Sequence, residues 1–83
     1  MKKVIVFGSF DPLHKGHLDF FRQAKELGEF LVVVVARDEQ IRKAKNREVR
    51  IGEKERLEAV KKVEIVDEAV LGDRLGEYKI LDI

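Results

Sequence analysis

The run "FLVVVVA", Phe30 to Ala36, places seven apolar residues in succession, four of them valine. A strand with one wet face alternates apolar and polar side chains, so a strand with no polar position must be covered on both faces. Seven residues cannot cross a bilayer as a helix. The run therefore predicts an inner strand of a parallel sheet with helices packed on it. "KKVIVFG" reads as a first strand stopped by Gly8. "GHLDFFRQAKELG" reads as a helix. Leu18, Phe21, Ala24 and Leu27 recur at the helical period, Phe20 widens the stripe and Gly28 serves as the C-cap. "EKERLEAVKKV" predicts a second helix with Leu57, Val60 and Val63 inward, and "EAVLG" a short third strand. Between them "IRKAKNREVRIG" has no clean period and reads as a mobile basic loop. The tail "DRLGEYKILDI" opens as a turn and continues as a helix or a fourth strand.

The order β-α-β-α-β is half of a doubly wound, Rossmann-like α/β sheet, which predicts a three-layer α/β/α arrangement with right-handed crossovers. At 83 residues the chain makes a single domain, 1–83. In this topology the first strand lies centrally and ligands bind beyond its carboxyl end.

Composition narrows the function. There is no cysteine, hence no disulfide frame and no thiolate metal site, and a cytoplasmic location is expected. The apolar run after "MKK" is too short for a signal peptide. The formal net charge of +1 is unevenly spread: residues 41–62 carry nine Lys/Arg against four acids, and residues 63–83 two against six. A short basic segment of this kind suits a small anionic ligand better than a nucleic-acid track, or is simply a solvated helix face.

The chemistry is concentrated in "VIVFGSFDPLHKGH", which holds both histidines of the chain. Gly8 permits a sharp turn off the strand and close approach of a phosphate to the backbone. The amides after Gly8 and those opening the helix at Gly16 are expected to point at one space, where a helix N-terminus favours anions. His14 and His17 can both face that space, with Gly16 between them leaving room. They either cap and pack the helix start, or donate to an anion and stabilise charge building on phosphorus. Two histidines so spaced, after strand-Gly-Ser-Phe-Asp-Pro, favour the second reading.

"GSFDPLHKGH" resembles the signature of the cytidylyltransferase-like nucleotidyltransferases, a glycine-hydroxyl-Phe-Asp stretch followed by His-x-Gly-His. The resemblance continues through "FFRQAKELGEFLVVVVARDE", "KERLEAV" and "VDEAVLG". Within that superfamily the chain is most similar to glycerol-3-phosphate cytidylyltransferases and archaeal FAD synthetases. The resemblance implies transfer of CMP or AMP from CTP or ATP to a phosphorylated acceptor such as glycerol phosphate or FMN, with release of pyrophosphate. Such a nucleophile is already an anion, so positioning and charge neutralisation carry the reaction. By the same resemblance His14 and His17 grip the α- and β-phosphates, beside the Gly8–Phe10 backbone and the Ser9 hydroxyl. Asp11 orients the acceptor or a neighbouring amide, unless it only forms a surface turn with Pro12. Lys45 and Arg56 neutralise phosphate charge, and Arg47 is a weaker candidate. Mg²⁺ bridges the triphosphate without a protein cage of its own.

Set against the family pattern, the chain stops after the third strand, before the segments that hold the base. The expectation is an N-terminal part of the family domain whose activity alone is doubtful. A short sheet with "VIVF" at its edge predicts self-association as a homodimer or larger oligomer, along the first strand or by exchange of the tail from Gly76. The alternative to an enzyme is a non-catalytic nucleotide- or phosphate-binding half-domain.

Overall fold

The computed structural model describes residues 2–72, the side chain of Lys45 apart. Three strands, β1 (Lys3–Gly8), β2 (Phe30–Val35) and β3 (Glu68–Leu71), form a parallel sheet in the order β1-β2-β3. Gly8 is level with Val35, and Val35 with Leu71, so the three carboxyl ends share one edge. As the sequence predicts, β2 is the inner strand and is buried from Leu31 to Val35. Among the described residues β1 lies at an edge rather than centrally, with Phe7 45% exposed.

Helix α1 (Lys15–Lys25) connects β1 to β2. The helices α2 (Asp38–Lys45) and α3 (Glu53–Lys61) lie between β2 and β3. Both crossovers step in the same direction, so the right-handed rule places their helices on the same face. The core agrees. Phe21 and Ala24 of α1 and Val60 of α3 join Val4, Val6, Leu31, Val33 and Val35 in one cluster, with Leu57 and Val63 packed against it. Ile5, Val32, Val34 and Val70 form a second cluster on the opposite face, to which no described helix contributes. Two of the three expected layers are thus seen. The calls on the tail, including exchange from Gly76, lie outside the described residues. No helix among the described residues is long and apolar enough to cross a membrane.

Gly28 is not a left-handed cap: no described glycine has positive φ, and α1 ends on Glu26 in the right-handed region. Its role is close packing, because a Cβ there would sit 2.7 Å from the Lys2 carbonyl oxygen. Leu27, expected inward, is 62% exposed. The start of β3 is tied to that of β2 by Asp67, whose amide donates to the Leu31 carbonyl (3.0 Å) and whose carboxylate accepts from the Leu31 amide (2.7 Å) and pairs with Lys25.

The larger correction concerns the stretch 41–52, expected to be a loop: its first five residues, 41–45, are helical and belong to α2. A single buried side chain, Ile41, anchors α2, so no apolar period exists to be read. Its ends are nevertheless well determined. Asp38 and Glu39 occupy the first turn, where the dipole favours them, and the Gln40 side chain accepts from the Arg37 amide (2.8 Å). Asn46, at φ 50°, closes the helix in the left-handed region that asparagine tolerates. Replacing Ile41 by alanine is expected to cost about 2–4 kcal/mol in chemical unfolding. A solvated loop would lose almost nothing.

Candidate active site at the carboxyl edge of the sheet

The chain leaves β1 through Gly8 and Ser9, and the conformational strain falls at Phe10, whose φ is 54°. A bulky residue in the left-handed region must be held there by its surroundings. Phe10 is 4% exposed, with its ring edge-on to Phe21 (centroids 5.3 Å apart) and to His17 (5.0 Å). The same ring explains Gly8. A Cβ on Gly8 would lie 2.6 Å from the ring, so this glycine makes room for Phe10 and not, on that side, for a phosphate.

His14 and His17 stand at the start of α1 and cap it reciprocally. Nδ1 of His14, the N-cap residue, accepts from the Gly16 amide (3.0 Å), and Nδ1 of His17 accepts from the His14 amide (3.1 Å). This is a capping box built from two imidazoles. The capping role considered for the pair is thus observed. A ring whose Nδ1 accepts an N–H carries its proton on Nε2 when neutral, so the cap sets the same tautomer in both rings. The rings stack with centroids 3.9 Å apart and planes 26° apart. Gly16 is required because a Cβ there would come within 2.9 Å of the His14 ring. The first turn of α1 holds no acid that would repel an anion. The Gly16 and His14 amides, expected to face a ligand, are used up inside the cap.

Asp11 is fastened to the basic segment. Its side chain is fully buried and its carboxylate accepts from the amides of Arg50 (2.9 Å) and Ile51 (2.7 Å) and from Arg47 Nη1 (3.2 Å). Burial pushes this carboxyl up, but the two amides and the Arg47 guanidinium outweigh it and hold it below the ordinary carboxylate value. Asp11 thus orients neighbouring amides, one of the roles expected for it, and Arg47 is part of the same fastening.

Arg56 departs from its expected role. The side chain is completely buried, and four hydrogen bonds occupy its guanidinium: Nε to the Ile51 carbonyl (2.7 Å), Nη1 to the carbonyls of Ser9 (2.8 Å) and Ala36 (2.6 Å), and Nη2 to Asp38 Oδ1 (2.6 Å). A guanidinium so enclosed does not reach a phosphate. It ties together the loops that follow β1 and β2. Beside it Glu53 accepts from the Asp38 amide (3.0 Å) and pairs with Arg37 (2.9 Å), which together hold its carboxyl below the usual value against the effect of burial. Lys45 ends α2, and its side chain lies outside the described residues. Among the described residues no three His, Asp or Glu side chains come together as a metal site.

Two expectations follow. Arg56→Lys is expected to lower stability by about 3 kcal/mol in urea unfolding, because one ammonium cannot serve four acceptors around a dry pocket. For Asp11 the folded value lies below the unfolded one, so its stabilisation is complete above the ordinary carboxylate pKa of about 4 and is lost as pH falls through the lowered folded value. The gap in unfolding free energy between the unaltered chain and Asp11→Asn should be widest near neutral pH and should close below about pH 4.

Comparison with known proteins places this geometry among relatives. The sequence pattern of the family described as Cytidylyltransferase-like matches residues 5–78. The FAD synthase of Ferroglobus placidus is 42% identical over 82 residues, covering 99% of this chain and 53% of that protein. The FAD synthase of Thermococcus kodakarensis is 47% identical over 70 residues, covering 84% of this chain and 47% of that protein. The crystal structure of the lipopolysaccharide core biosynthesis protein from Thermoplasma volcanium superposes with a TM-score of 0.84 at 38% identity, over 93% of this chain and 65% of that one. The chain spans about half the length of the curated relatives it matches.

Proposed function

We propose, because the chain belongs to the cytidylyltransferase-like family, that it supplies the triphosphate-gripping part of a nucleotidyltransferase. One observation carries this reading: the stacked His14–His17 pair, whose Nδ1 atoms are committed to the helix cap and whose protons are thereby set on Nε2. A cap alone does not call for imidazole, since Asn, Asp or Ser caps a helix better. Two parallel N–H donors at a helix N-terminus suit the α- and β-phosphates of a nucleoside triphosphate.

In the proposed reaction an oxygen of the acceptor phosphate attacks the α-phosphorus. A new P–O bond forms, the bond from the α-phosphorus to the α,β-bridging oxygen breaks, and pyrophosphate leaves with the electron pair. The acceptor is anionic, so no side chain has to remove a proton. His14 and His17 hold the triphosphate and neutralise charge that grows towards the leaving group, while the Ser9 hydroxyl and Lys45 add donors beside them. The nucleotide enters as its Mg²⁺ complex. The similarity to FAD synthases favours ATP as donor and FMN as acceptor, giving FAD.

The test is pyrophosphate release from MgATP with FMN, with CTP and glycerol phosphate as the comparison pair. His14→Asn and His17→Gln both retain a capping acceptor and so keep α1 intact. Each is expected to slow turnover about 100-fold with little change in melting temperature. Loss of folding with loss of activity, or activity untouched, defeats the assignment. A second reading, phosphate binding without turnover by a self-associating chain, is favoured by the exposed Phe7 on β1, an edge strand among the described residues. It predicts a MgATP-dependent thermal shift, no pyrophosphate, and a light-scattering mass above that of one chain.

A further inference from the structure

The basic segment 42–56 carries four arginines, and three of them are occupied. Arg42 pairs with Glu48 (3.4 Å), Arg47 with Asp11 (3.2 Å), and Arg56 is enclosed by its four acceptors. Arg50 is exposed, and its guanidinium has no hydrogen-bond or ion-pair partner among the described residues. Its backbone is the opposite case. The Arg50 amide donates to Asp11 Oδ2 (2.9 Å), the Ile51 amide to Asp11 Oδ1 (2.7 Å), and the Ile51 carbonyl accepts from Arg56 Nε (2.7 Å). Two buried charges of opposite sign thus clamp two consecutive residues of an otherwise irregular connection. Asp11 lies three residues before His14 in the loop that leads to the imidazole pair. A side chain that contributes nothing to the fold is therefore presented from a backbone fastened to the loop that leads to that pair.

Arginine is suited to such a position, because its planar fork takes two phosphate oxygens at once and a fixed Cα lowers the ordering cost of doing so. We propose that Arg50 is a further phosphate-binding residue of this site, with Asp11 as the positioning residue that holds it there. The proposal rests on the nucleotidyltransferase reading for what else the site contains. Its ligand is a phosphate group, supplied either by the nucleoside triphosphate or by the phosphomonoester acceptor. Asp11 reaches no ligand itself and acts through the amide of Arg50.

The experiment measures the affinity of the full chain for MgATP and, separately, for FMN. Arg50→Gln is expected to weaken one of them about tenfold, the loss of a charged hydrogen bond, with the unfolding midpoint unchanged because the side chain is exposed. Weakening for MgATP places Arg50 on the triphosphate, and weakening for FMN places it on the acceptor. Arg50→Lys should recover part of the loss. Asp11→Asn should weaken the same ligand, and combining it with Arg50→Gln should add little, since both act through one contact. A merely structural Asp11 would give additive losses. If Asp11→Asn proves too unstable to measure, Arg50→Gln alone decides. His14→Asn separates this inference from the reading beneath it. Unchanged affinities for Arg50→Gln beside a weakened His14→Asn overturn the assignment of Arg50 and leave the histidine pair standing. Weakening by Arg50→Gln alone upholds Arg50 and removes the histidines.

Discussion

One buried guanidinium organises the functional end of this molecule. Removing a cation from water is costly, and Arg56 recovers that cost only because four acceptors converge on it from the loops after β1 and β2, the first turn of α2 and the segment before α3. The arrangement is specific to arginine, whose donors radiate in a plane and can hold several strands of backbone apart at fixed distances. Everything that faces the proposed ligand is referenced to it. Ser9 begins the loop that leads to the histidines, and Ile51 adjoins the arginine on the opposite wall.

Around that hub the site divides its labour by atom. In each histidine Nδ1 serves the helix, which leaves Nε2 as the atom to which the proposed reading assigns the phosphate, so the packing that stabilises α1 also sets the tautomer that reading needs. Phe10 links the two functions. Its left-handed backbone turns the ring inward, over Gly8 and against the edge of the His17 ring, giving that imidazole an apolar wall. Asp11, the next residue, fastens the basic segment through Arg47 and the amides of Arg50 and Ile51.

The sheet was legible because its signals are redundant. An unbroken apolar run, two crossovers of workable length and a strand-glycine-helix junction all point to the same topology. The histidine pair was legible through its spacing. α2 was not, because one buried isoleucine makes no period and its start and stop signals resemble loop composition. Gly8 and Gly28 were recognised as special for the wrong reason: Gly8 makes room for the inward-turned Phe10 ring and Gly28 for the Lys2 backbone, and neither close approach is visible in the residue pattern. Arg56 was misread for a related cause. Nothing in "KERLEAV" reveals that its arginine turns inward, since the acceptors lie 5 to 47 residues away in sequence.

Those separations bear on how the site comes into being. Contacts between Arg56 and Ser9, or between Asp11 and Ile51, close long stretches of chain and gain nothing until both crossover units have packed. Folding and assembly of the binding end are in this sense one event. No early, partly ordered species holds these loops in place, and any ligand that engaged them, as proposed, would draw on the cooperative unit as a whole and raise its stability in step with its own concentration.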